Sequence, residues 1–430
     1  MALIKKTVTG MRDILPREME VRQYCMGVIR ETYRQFGFTE IETPLVESIE
    51  NLCSDQGGDN EKLIFRILKR GEKLNLETAH TQEDVTDSGL RYDLTVPLVR
   101  YYAAHMNELP QPFKALQMGN VFRADRPQKG RYRQFMQCDI DIIGEAGIIA
   151  EIESILAITT VLSRLGFHDF QVRINDRRLL KAMSSNAGFS MDKFGAVCVI
   201  LDKLDKIGFD GVRTELLDTC GDETQVKKCL AILQEGAERA GANQAKTADA
   251  AARVRAFCNC MTGDEVESAR DNLTAIIDTV NAAKEAAFEM VFDPTLVRGM
   301  GYYTGTIFEI SLPGYGGSCG GGGRYDEMVG RFTGQSAPAI GFSIGFERII
   351  MILMEEGFRV PGTEDKCAYL IEKGISGERL TAIIKKAADA RKRDKQVLIV
   401  HMNKNKKFQK EQLTAQGYTS FEEFYKEDLQ

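Results

Sequence analysis

Four consecutive glycines, Gly320–Gly323, run straight into Arg324-Tyr325-Asp326. Glycine loses more backbone freedom on folding than any other residue, so a run of four is costly unless the backbone passes close to something. Two readings satisfy that condition: a bulged or tightly twisted strand, or backbone approaching a ligand. Just downstream, Gly341-Phe342-Ser343-Ile344-Gly345-Phe346 leads into Glu347-Arg348, at the start of an otherwise apolar helix expected over 345–356. An arginine near a helix N-terminus opposes the macrodipole, which weakens the bland account of Arg348 as a mere helix-start residue.

A second arginine-centred segment lies far upstream. Arg123, Arg126, Lys129, Arg131 and Arg133 fall within about ten positions, around Pro127 and Gly130. Strand-like runs over 114–123 and 133–143 flank them, predicting an antiparallel pair joined by a long basic loop. A guanidinium forks two hydrogen bonds onto a phosphate and cannot lose its charge. The segment therefore reads either as an exposed basic hairpin or as a polyphosphate cradle without a P-loop. Two further segments place polar residues among apolar ones. Arg298 stands beside Gly299, Tyr302, Tyr303 and Gly305. Asp93 and Thr95, two apart, share a face if that stretch is extended, and the pair suits an ammonium group.

The remaining texture divides the chain. A helix is expected over 17–35, followed by a strand over 38–44 ended by Pro44, and another strand over 63–68. From about 176 to 289, Ala, Lys, Glu and Leu dominate and predict a helical insertion. Strands return near 302–311 and 339–343. Gly357 and Pro361-Gly362 mark a linker, after which strand, helix, strand and helix (367–371, 378–392, 396–401, 408–416) predict a small α/β module.

Composition narrows the class. A chain of 430 residues with 43% hydrophobic content suits two or three soluble domains. No run approaches the length of a membrane span, and the N-terminus lacks the apolar core of a secretory signal, so a cytoplasmic protein without membrane association is expected. The net charge of −6 argues against a general nucleic-acid coat, although the basic run 391–410 remains a candidate RNA contact. The 10 cysteines show no paired C-x-x-C framework and read as free buried thiols. Four histidines without ligand spacing give no reason to expect a zinc centre, or any metal held by side chains.

Taken together the segments resemble the class II aminoacyl-tRNA synthetases, and the histidyl-tRNA synthetases among them. Residues 38–47, 122–135 and 341–348 look like the three class motifs. Val297-Arg298-Gly299 with Tyr302-Tyr303-Thr304-Gly305, and Gly322-Gly323-Arg324-Tyr325-Asp326, look like the segments specific to the histidine enzymes. The resemblance implies an α+β fold: an antiparallel sheet flanked by helices, with a helical insertion and a small C-terminal α/β module. It implies a catalytic core over 1–175 and 290–357, an insertion over 176–289, and a reduced anticodon-binding-like module over 364–430. It further implies activation of histidine by ATP to histidyl-adenylate and transfer to histidine tRNA, in a homodimer, with Mg2+ screening the phosphates. By the same resemblance, Arg123, Arg131, Arg133, Phe135 and Arg348 would bind ATP, and Arg298 with Arg123 would be catalytic. Asp93, Thr95 and Gln137 would hold the substrate ammonium. Asp141, Tyr303 and Tyr325 would recognise the imidazole.

The chain departs from the family pattern in three places. Asp125 replaces the usual glutamate, Gly301 stands where aspartate is usual, and the tail from Glu364 is short for the family's anticodon-binding domain. Two alternatives follow: a histidine-sensing regulatory subunit of ATP phosphoribosyltransferase, or an adenylate-forming paralogue with a non-tRNA acceptor. Binding-only paralogues tend to lose the motif arginines, whereas Arg123, Arg298 and Arg348 all stand here.

Overall fold

The computed structural model describes residues 4–53, 61–127, 130–239, 249–297, 302–312, 314–315, 317–362 and 366–426. The chain forms two compact units, one of Met1–Arg12 with Gly27–Ile349 and one of Asp13–Met26 with Ile350–Gln430.

The strands of the first unit are β1 (Thr39–Glu40), β2 (Val46–Ser48), β3 (Arg66–Leu68), β4 (Thr86–Leu90), β5 (Phe113–Phe122), β6 (Gln134–Ile143), β7 (Phe170–Asp176), β8 (Phe288–Phe292), β9 (Thr306–Ser311), β10 (Ser318–Arg324) and β11 (Ala339–Ile344). Eight of them make one sheet in the order β1-β5-β6-β11-β10-β9-β7-β8. Every neighbouring pair from β5 to β7 is antiparallel, and the edge strands β1 and β8 are parallel to their neighbours. The remaining three form a small antiparallel sheet, β2-β4-β3. Helix Ile149–Arg164 packs against β11 and buries Ile155, Ile158, Val161 and Leu162.

β5 and β6 are the long antiparallel pair expected on either side of the basic loop, in register from Phe113↔Ile143 to Phe122↔Gln134. Their period of two decides what each face presents. On β6, Cys138, Ile140 and Ile142 belong to the buried apolar core, while Gln137, Asp139 and Asp141 line a cavity. The strand expected over 38–44 shrinks to Thr39–Glu40. The Ile41 N–H still bonds to the Leu116 carbonyl, but Pro44 has no N–H to extend the ladder. The strand expected over 63–68 is confined to β3, because a single 3₁₀ turn occupies Glu61–Leu63.

The expected helical stretch begins and ends in the main sheet. Asp176 closes β7 and caps helix Arg177–Ala187, its carboxylate accepting from the Arg178 N–H at 2.8 Å. Helices Phe194–Leu201, Leu204–Cys220, Glu223–Arg239, Ala250–Cys258 and Asp264–Ala283 follow, and the chain returns as β8 alongside β7.

The second unit contains β12 (Lys366–Ile371), β13 (Gln396–His401) and β14 (Ser420–Phe424), all parallel, in the order β13-β12-β14. Helices Gly377–Arg391 and Lys406–Ala415 connect them. β14 is a strand that sequence reading omitted. Its adjacent Glu422 and Glu423 break the apolar alternation, and they are matched by Lys386 on one side and by Lys406 and Lys410 on the other.

Candidate functional site

A cavity of about 350 Å³ opens on the first unit. β6 supplies Gln137, Asp139 and Asp141. β11 supplies Gly341 and Ser343, which stand opposite Asp141 and Asp139 in the ladder. Two glycines show how the sheet accommodates this. A Cβ on Gly322 would lie 2.7 Å from Phe342 Cα, so close strand approach explains that part of the glycine run. Gly320 is equally close-packed, since its Cβ would lie 2.8 Å from Phe342 Cε1 and 3.0 Å from the Ser343 carbonyl oxygen, and both Gly320 and Gly321 line the cavity. A Cβ on Gly341 would lie 3.0 Å from both Asp141 Cγ and Tyr325 Cε1, so Gly341 makes room for that pair.

The Tyr325 hydroxyl donates to Asp141 Oδ1 at 2.6 Å, with both residues buried. Burial pushes the Asp141 carboxyl up to about 7, opposed by the Tyr325 bond. Burial likewise lifts Asp93 to about 6, against the Val96 N–H and the charges of Arg123 and Arg91. Asp139 is driven well above the carboxylate range by burial and then by Asp141. Burial makes these acids costly to ionise. Tyr302 packs beside Tyr303, with centroids 4.8 Å apart, and meets Tyr325 edge-on at 6.0 Å.

Asp93 and Thr95 both line the cavity, though not as an extended pair. Leu94 is already helical in φ and ψ, and Thr95 opens helix Thr95–His105. Asp93 Oδ1 accepts from the Val96 N–H at 3.1 Å, so a helix start rather than a strand positions the carboxylate.

Arg123, Arg131, Phe135 and Arg348 also line the cavity. Arg123 Nε donates to the Tyr92 carbonyl at 2.9 Å, and its guanidinium lies 5.2 Å from the Phe135 ring centroid. Arg348 donates from Nη1 to the Ser318 carbonyl. Its neighbour Glu347 accepts from Arg12 Nη2 at 3.0 Å and from the Met136 N–H at 3.1 Å. Glu347 thereby ties the N-terminal segment and β6 to the helix that carries Arg348. Gln137, Tyr303 and Tyr325 complete the placed candidates on the cavity wall.

Two candidates differ. Arg133 does not line the cavity. Its guanidinium bonds to the Asp125 and Thr9 carbonyls, and its backbone N–H bonds to Gly10, so it fastens the loop to the N-terminal segment. Arg298 lies outside the described residues, as does Gly301.

Sequence reasoning overlooked Asp139 and Ser343, although Asp139 sits midway between Gln137 and Asp141 and strand periodicity alone places it on their face. Arg324, part of the glycine motif, turns inward at 8% exposure. It forms a two-pronged bridge with Glu151, both bonds 2.7 Å, and bonds to the Glu145 and Gly147 carbonyls. Among the described residues, no group of three or more His, Cys, Asp or Glu is placed to hold a metal ion.

Comparison with known proteins gives a consistent result. The family described as histidyl-tRNA synthetase matches residues 10–349. A histidine–tRNA ligase of Leifsonia xyli subsp. xyli is 43% identical over 420 residues, 96% of this chain and 93% of that protein. A histidine–tRNA ligase of Christiangramia forsetii is 34% identical over 378 residues, 85% of this chain and 80% of that one. The crystal structure of histidyl-tRNA synthetase from Nostoc sp. PCC 7120 superposes with a TM-score of 0.75 at 26% identity, covering 97% of this chain and 90% of that one. An ATP phosphoribosyltransferase regulatory subunit/histidyl-tRNA synthetase from Bacillus halodurans C also gives 0.75, at 21% identity over 99% of this chain and 100% of that one, a likeness of fold alone.

Proposed function

The chain belongs to the histidyl-tRNA synthetase family, and on that premise we propose that it couples ATP to the charging of histidine tRNA. One observation carries the reading. A single cavity is lined both by the buried acids Asp93 and Asp141, the latter paired with Tyr325, and by the arginines Arg123, Arg131 and Arg348. The acids suit the cationic and hydrogen-bonding groups of histidine, and the arginines suit a polyphosphate.

In the first step a carboxylate oxygen of histidine attacks the α-phosphorus of ATP, the bond to the bridging oxygen breaks, and pyrophosphate leaves. In the second, a ribose hydroxyl at the tRNA 3′ end attacks the acyl carbon, AMP leaves, and the hydroxyl proton goes to solvent or to a leaving oxygen. No side-chain nucleophile is needed, so positioning and charge stabilisation supply the acceleration. We assign Arg123, Arg131 and Arg348 to the phosphates, Phe135 and Arg348 to the adenine, and Arg298 with Arg123 to charge building at the α-phosphate. Asp93, Thr95 and Gln137 take the substrate ammonium, and Asp141, Tyr303 and Tyr325 the imidazole. Arg133 supports the loop that carries Arg131. Mg2+ bound with ATP would screen the phosphate charges.

A cytoplasmic homodimer suits this reading, with a catalytic core over 1–175 and 290–357, an insertion over 176–289, and a tRNA-contacting module over 364–430. Among the described residues no helix is long and apolar enough to cross a membrane. A purely regulatory subunit has no use for arginines in the amino-acid cavity, which weighs against that alternative. The test is charging of histidine tRNA by the purified protein. Histidyl-tRNA is expected with the unmodified protein, and Arg348→Gln should slow its formation about 10²–10³-fold. A folded protein that left the tRNA uncharged would overturn the proposal.

A further inference from the structure

Residues 7–12 form a turn that lines no part of the cavity, yet it meets each element carrying an arginine assigned to ATP. The Met11 N–H bonds to the Val8 carbonyl at 2.9 Å, and the Thr7 hydroxyl donates to the Met11 carbonyl at 2.9 Å. Gly10 turns the chain at φ +84°, and a Cβ there would lie 2.7 Å from Arg133 Cγ and 2.9 Å from Pro127 Cγ. Glycine alone combines that conformation with so close an approach to the basic loop. The Arg133 N–H donates to the Gly10 carbonyl at 2.8 Å, and the Arg133 carbonyl accepts from the Arg123 N–H at 2.9 Å. Arg133 thus links the turn to Arg123.

Arg12 makes the other two links. Its guanidinium lies 4.5 Å from the ring centroid of Tyr132, the neighbour of Arg131, within the range of a cation–π contact. Its Nη2 donates at 3.0 Å to Oε2 of Glu347, the neighbour of Arg348, whose Oε1 accepts from the Met136 N–H on β6. Tyr132 and Glu347 line the cavity and Arg12 does not. The Glu347 side chain is 9% exposed and that of Arg12 30%. A carboxylate on the wall of a polyphosphate site repels the ligand unless a cation balances it, and burial strengthens the repulsion. Arg12 supplies that cation.

We infer that Arg12 is a positioning residue for the ATP site, holding Tyr132 beside Arg131 and balancing the charge of Glu347 beside Arg348. The inference rests on the assignment of Arg131 and Arg348 to the phosphates, and adds that the N-terminal turn fixes where those two arginines stand. Arg12 acts through these neighbours rather than on the nucleotide. Histidine, placed on Asp93 and Asp141 in the same cavity, serves as the internal control.

The test measures histidine-dependent ATP–pyrophosphate exchange. Arg12→Met keeps an apolar stem but removes the charge, and should raise the KM for ATP about 10-fold while leaving the KM for histidine unchanged. Arg12→Lys restores a charge without the planar fork, and should bring the KM for ATP to within about 3-fold of the unmodified protein. Should Arg12→Met fail to fold, Arg12→Gln carries the same test, because it keeps a donor for Glu347 without the charge. An unchanged KM for ATP, an equal rise in both KM values, or no recovery in Arg12→Lys would overturn the role of Arg12 and leave the charging reaction standing. No exchange with the unmodified protein would overturn the ATP reading, and the inference with it.

Discussion

Asp141 illustrates what burial does to a single group. It is 2% exposed, its carboxyl is raised to about 7, and its described partner is the Tyr325 hydroxyl. The sign of its effect on stability follows. A carboxyl raised above its ordinary value of 3.8 favours folding below that value, and the contribution is lost as pH rises through the folded value. Asparagine does not titrate. Relative to Asp141→Asn, the unmodified ligand-free protein should lose stability progressively as pH rises from ~4 to ~7. Melting temperatures of both proteins across that range check this, and a constant difference would be inconsistent with a buried, unneutralised Asp141. The sequence offered Asp141 only through family resemblance. Nothing in its neighbours along the chain announces Tyr325, which is 184 positions away.

At the scale of elements, β6, β10 and β11 meet where side chains are missing as much as where they are present. Gly341→Ala places a methyl against the Asp141–Tyr325 pair. The expected outcome is a large rise in the KM for histidine with the KM for ATP little changed, measured by pyrophosphate exchange. A parallel rise in both would mean that the whole sheet had shifted. Arg324 joins the end of β10 to helix Ile149–Arg164 through Glu151. Removing one partner of a buried pair strands the other, so Arg324→Ala should cost about 3–5 kcal/mol in denaturant unfolding. The double change Arg324→Met, Glu151→Leu should cost clearly less. Much at this level was legible in the sequence, because β5, β6, β11 and the helices of 177–283 rest on local periodicity. What local pattern could not supply was context. Asp93 and Thr95 would share a face only if the stretch were extended, yet it starts a helix, with Asp93 accepting from a backbone N–H of the first turn. β14 exists because β12 offers a free edge for parallel pairing and nearby lysines neutralise its glutamates. Arg133 shares the charge of its neighbours but bonds to carbonyls of the N-terminal segment and loop, a partnership invisible from charge alone.

At the scale of the whole molecule, the proposed division of labour is small-molecule chemistry in the first unit and RNA contact in the second. The basic run 391–410 lies in the second unit. There Lys406 and Lys410 are engaged by Glu423, whereas Lys404 and Lys407 have exposed side chains. Reversing the charge at Lys404 and Lys407 should weaken binding of histidine tRNA and lower the salt slope of its affinity by about one per lost phosphate contact. Pyrophosphate exchange should be untouched. An unchanged salt slope would remove this surface from the tRNA footprint. Whether one cavity holds histidine and ATP for reaction with each other is decided by histidine-dependent ATP–pyrophosphate exchange with the purified chain. Exchange that requires histidine and collapses in Arg123→Gln or Arg348→Gln is the expected result. Histidine binding without any exchange would contradict the claim and leave a sensor in place of an enzyme.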